Sequence, residues 1–148
     1  MKQLYRAGNT DVRPNVVAAN AVLNACAYTV GDIREQNRAV EIAHTVLKEL
    51  ESYDKPDQVT YGTFVKVCSH QMSGSSTREQ VVEVLFKKCC QDGVLGTFML
   101  DQMKAICTPE LFERLVGRSM NQELRLEDLP REWSANAAHW HGRTHRRL

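Results

Sequence analysis

Apolar residues recur along the chain every three or four positions. Ala39, Val40, Ala43, Val46, Leu47 and Leu50 line one side of a helix. Tyr61, Phe64, Val65, Cys68 and Met72 make a second such stripe. Val82, Leu85, Phe86 and Cys89 make a third, and Leu95, Phe98, Met99, Met103 and Ile106 a fourth. None of the long segments alternates with the period of two of a half-buried strand. The pattern predicts an all-α chain with helices over 15–29, 33–52, 57–71, 77–92, 94–106 and 109–117.

The punctuation agrees with these bounds. Asn15 and Asp57, each after a proline, suit the start of a helix, where a side-chain oxygen accepts from a free backbone amide. Gly31 with Asp32, and the run 73–76 of Ser, Gly, Ser and Ser, break the chain between helices. Thr108, Pro109 and Glu110 combine a cap, a first-turn proline and an acid near the positive end of the helix dipole. Gly117 closes that short helix. Beyond it only Leu124, Leu126, Leu129 and Trp133 are suited to packing, and 135–148 is polar and basic without a period.

A shift of 42 residues superimposes the chain on itself. Pro14 then meets Pro56, Val17 meets Val59, Val22 meets Phe64, Leu23 meets Val65 and Cys26 meets Cys68. The same shift carries 39–42 onto 81–84, so one offset matches both helices of each pair. Each unit reads as an antiparallel hairpin. One hairpin cannot bury both of its apolar faces, and stacked hairpins can, which is the logic of an α-solenoid. The resulting division is repeat 1 over 14–57, repeat 2 over 58–93, a degenerate capping hairpin over 94–133 and a flexible basic tail over 134–148. Residues 1–13 read as the end of a preceding repeat and a linker, which makes the chain the C-terminal piece of a longer array.

The segment PNVVAANAVLNAC over 14–26 and the segment PDQVTYGTF over 56–64 resemble the openings of pentatricopeptide repeats. The second helix of the unit, from Ala39 to Leu47, is similar to that family's Ala-x-x-Leu/Ile pattern with substitutions. The Trp, Leu-Gly and Tyr signature of the tetratricopeptide repeat is absent. The resemblance covers about 14–92. The spacing exceeds the family's usual repeat, and the excess is assigned to loops around 29–36 and 51–55.

The resemblance implies single-stranded RNA binding, one base per repeat, read by two or three side chains. The selector matches Asn20, and its partner at the end of the repeat matches Asp57. In the family that pair favours uracil or, more loosely, a pyrimidine. Val17 and Val59 match the position that wedges between successive bases. The selector of the second unit is Gly62, which has no side chain to read a base. Asn20 reads equally well as a solvent-facing helix residue or as one bonded to its neighbours, and Asp57 as an N-cap, either alone or in both roles. The resemblance also implies work on RNA in a mitochondrion or plastid, in processing or translation. The rival reading is a protein–protein scaffold built on the same hairpins.

The formal net charge of +1 argues against generic, charge-driven nucleic-acid binding, and leaves a locally arranged site open. No apolar run approaches the ~20 residues of a membrane span, so no membrane partner is expected. The N-terminal residues carry Lys2 and Arg6 with no apolar stretch after them, unlike a secretory signal. Five cysteines, an odd number with no C-x-x-C pair, suit reduced core residues better than disulfides or zinc. The same apolar setting ranks the core reading above a reactive thiol at Cys89 or Cys90. His139, His141 and His145 have no cysteine or acid close by to complete a metal site. The sequence contains no Gly-rich phosphate loop, no nucleophile elbow and no zinc-deaminase signature. A non-catalytic chain without a cofactor is the expectation.

Overall fold

The computed structural model describes residues 15–136, the side chain of Ser75 excepted. Among the described residues the chain is all-α, with no strand. Six helices follow one another: α1 (Val16–Ala27), α2 (Ile33–Tyr53), α3 (Gln58–Gln71), α4 (Ser75–Gln91), α5 (Thr97–Ile106) and α6 (Pro109–Val116). Two short 3-10 turns, Leu126–Asp128 and Arg131–Trp133, complete the path. The expected chain start over 1–13 and most of the basic tail, with its three histidines, lie outside the described residues.

Four of the six helix starts are capped by a side chain, and α4 and α5 begin after a glycine without one. Asn15 accepts from the Ala18 amide at 2.9 Å, Asp32 from Glu35 at 3.0 Å and Thr108 from Leu111 at 3.2 Å. At α3 the cap is reciprocal: Asp57 accepts from the Thr60 amide, and the Thr60 hydroxyl accepts from the Asp57 amide. Gly117 ends α6 in the left-handed conformation at φ 84°, where a Cβ would be strained.

The loop assignment of the excess length and the start of one helix differ from the sequence reading. The loop residues assigned to the excess length are largely helical, because α2 runs unbroken from Ile33 to Tyr53. The longer first unit therefore holds a longer second helix. Helix α5 begins at Thr97 rather than 94, since the chain first turns at Gly93 (φ 71°) and the Leu95 amide donates to the Trp133 carbonyl at 2.8 Å.

Helix α3 is the centre of the molecule. It packs against α1, α2, α4 and α5, and its residues from Thr60 to Val65 are all buried. With neighbours on most of its sides it keeps only a narrow exposed strip, including Lys66 and His70, so it loses much of the amphipathic contrast of a surface helix. Helix α2 shows that contrast cleanly: Ala39, Ala43, Leu47 and Leu50 are buried, while Glu41, Lys48 and Glu51 are exposed. Helix α4 packs on α3, α6 packs on α4, and the turn at Arg131–Trp133 also packs on α4. There Trp133 meets Phe86 edge to face, with ring centroids 5.6 Å apart.

The end of α1 is held by the end of α3. The Gln71 amide, itself buried, donates from Nε2 to the carbonyls of Cys26 (2.9 Å), Ala27 (3.1 Å) and Thr29 (2.8 Å). An amide has two N–H groups, so one is shared between two carbonyls. The contact satisfies acceptors that a helix C-terminus otherwise leaves to water.

Candidate nucleic-acid interface

The start of α3 lies against α1, and three polar side chains meet there. Asn20 Nδ2 donates to Asp57 Oδ1 at 3.1 Å. Thr60 Oγ1 lies 2.7 Å from Asn20 Oδ1 and 3.0 Å from Asp57 Oδ1. A hydroxyl has one proton, and the shorter contact assigns it to Asn20. Asp57 Oδ1 also accepts from the Thr60 amide at 2.9 Å. Asn20 and Asp57 are half-buried, and Thr60 is fully buried. The hydroxyl therefore has no access to water and depends on these partners.

Asp57 is the N-cap of α3, and the oxygen that caps the helix is also the oxygen that holds Asn20. Asn20 likewise does bond to its neighbours. A carboxamide has two N–H groups and two acceptor lone pairs. After its bonds to Asp57 and Thr60 it keeps one of each, which is the pair of functions a base edge requires.

Beside this network opens a cleft of about 670 Å³. Glu51, Asp54, Asp57 and Asp92 line it, with Lys55. Carboxylates in such excess repel a phosphate backbone and favour ligand groups that donate hydrogen bonds or carry positive charge. Asp92 is fixed in place by the hydroxyl of Tyr61, which donates to its Oδ2 at 2.5 Å. Burial, followed by that hydrogen bond and the nearby negative charge, raises the Tyr61 pKa and keeps the phenol protonated.

The other sequence-derived positions are placed as follows. Val17, in the first turn of α1, is 76% exposed. Val59, its counterpart in α3, is half-buried. Gly62 is buried, and the ring of Phe98 from α5 occupies the space a Cβ would need. The position that the resemblance assigns to the second selector is thus covered by a side chain from α5, a feature not legible in the sequence. Thr60 also went unassigned there, although its spacing three residues after Asp57 is that of a capping box.

No known family, no curated protein and no solved structure matches the chain.

The thiols bear on reactivity. Cys26, Cys68, Cys89 and Cys107 are buried and Cys90 is half-buried, and all five are free. Burial pushes Cys68 and Cys90 up to about 12 and Cys107 up to about 11, and it raises Cys26 and Cys89 as well. At neutral pH they are thiols rather than thiolates, the form that attacks an electrophile poorly. Among the described residues no group of three or more His, Cys, Asp or Glu side chains is placed to hold a metal ion. No described helix is long and apolar enough to cross a membrane.

Proposed function

We propose that the chain is a non-catalytic single-stranded RNA-binding module, built as an α-solenoid of pentatricopeptide type. The observation that carries the reading is the hydrogen bond between Asn20 and Asp57. The two residues are far apart in sequence, and the resemblance pairs them as selector and partner. Their contact supplies what such a pair needs: a carboxamide held in one orientation with a donor and an acceptor to spare. Uracil offers a carbonyl oxygen and a ring N–H, which complement those two functions. The order of packing, α1 on α3 and α3 on α5 with α2 and α4 set against them, suits stacked hairpins. Organellar RNA processing or translation is the setting that the resemblance implies.

A second reading, a protein–protein scaffold, draws on the cleft. Its four carboxylates, Asp57 among them, are a poor neighbour for phosphates and a good one for a basic segment of another protein.

Fluorescence anisotropy of the chain with labelled oligouridylate and oligoadenylate, at low and high salt, tests the proposal. The expected result is saturable binding that prefers the uridylate and weakens in Asn20→Ala. The near-neutral charge predicts few phosphate contacts, hence a shallow salt dependence. A folded chain that binds neither strand sinks the RNA reading and leaves the scaffold.

A further inference from the structure

We infer that Phe98, seated on Gly62 and flanked by Lys66, is a stacking platform for one base of a single strand, and that it takes any base. The inference rests on the RNA reading above and adds to it the way the second unit meets its nucleotide.

Gly62 corresponds to Asn20 under the internal repeat, so Phe98 fills in the second hairpin the place the selector fills in the first. Its ring edge lies against the glycine backbone, and the side chain stays half-buried rather than sinking into the core. The Lys66 ammonium lies 6.0 Å from the centre of the Phe98 ring and 5.0 Å from that of Tyr28. Its Nζ also donates to the Tyr28 hydroxyl at 3.2 Å. Tyr28, 58% exposed, meets the ring of His70 edge to face at 5.5 Å. One cation is thus held between two aromatic rings contributed by α5 and by the end of α1.

These groups share a face. Val59, Gly62 and Lys66 recur on α3 at helical spacing, as do Val17, Asn24 and Tyr28 on α1. Alternating aromatic rings and a lysine are the chemistry that binds single strands without sequence preference: a base stacks on the ring, and the ammonium meets the phosphate. Phenylalanine has no polar atom, so it cannot tell one base edge from another. The second unit would hold a nucleotide without reading it.

The test uses the full chain, labelled oligouridylate and oligoadenylate, and an abasic ribose-phosphate oligomer of the same length. Phe98→Leu is expected to weaken both base-bearing strands alike, by about five- to a hundred-fold. It leaves the weak abasic binding unchanged. Phe98→Tyr retains the affinity of the native chain. Lys66→Gln, at a half-exposed position, weakens all three ligands and reduces the salt slope. Circular dichroism melts establish that each variant is folded. Should Phe98→Leu unfold, Gly62→Ala, which displaces the ring, and Lys66→Gln decide the matter through the same ligands. Native affinity in folded Phe98→Leu, with binding still lost in Asn20→Ala, overturns the platform and leaves the RNA reading standing. No binding of either base-bearing strand by the native chain overturns both, as a surface for a protein partner would.

Discussion

Asn20 and Asp57 are 37 residues apart and joined by a hydrogen bond of 3.1 Å, with the buried hydroxyl of Thr60 closing the triangle. Each member serves twice. Asp57 caps α3 and anchors Asn20, Thr60 completes the cap and orients the carboxamide, and Asn20 ties the first hairpin to the second. In the proposed function, base recognition and the packing of α1 on α3 are therefore coupled, and their energetic shares are separable by substitution.

Thr60→Val should cost more stability than Asn20→Ala. The valine removes a buried hydroxyl, leaving the Asp57 amide without its acceptor and Asn20 without its donor, a loss of about 1–3 kcal/mol. Asn20→Ala leaves Asp57 Oδ1 with the Thr60 amide and should cost about 1 kcal/mol. Urea unfolding of both variants and of the double variant measures this. Direct contact predicts costs that fail to add. Equal or negligible costs would show that the triangle contributes little to folding.

Gln71 should be more sensitive than a polar residue at a helix end usually is. Gln71→Leu removes a donor from three carbonyls, of which Cys26 O keeps the Thr29 amide and Ala27 O keeps the His70 ring, and is expected to cost about 1–3 kcal/mol. Gln71→Glu should cost more at neutral pH, since a buried carboxylate would face the same oxygens. The midpoints of denaturant unfolding rank the two. The reverse order would mean that the side chain does not hold α1 as described.

Tyr61 makes alkaline stability a probe of the core. Its pKa is raised in the folded chain, while an unfolded tyrosine ionises near about 10. Below that pH both states keep the proton and the contribution of the phenol is intact. Above it only the unfolded state releases the proton, so stability falls as pH rises through about 10. Tyr61→Phe should lose about 1 kcal/mol at neutral pH and show a weaker alkaline decline. Thermal melts of both proteins across that range measure it. Identical declines would place the phenol in water.

The helical nature of the chain and most helix starts were legible in the sequence, for local reasons. Periodicity, capping side chains and a left-handed glycine act within a turn or two, so Asn15, Asp57, Thr108 and Gly117 announce their roles in any context. The pairing of Asn20 with Asp57 came from the repeat and its resemblance, because no local rule joins residues that distant. Only the tertiary structure decided the rest. Thr60 looks like an ordinary polar residue until α1 closes over it. Gly62 looks like a lost selector until Phe98, which reads as one more stripe residue of α5, arrives across it. Hydrogen bonds and van der Waals contacts act over a few ångströms, and which groups come that close is settled by how helices pack, not by their order along the chain.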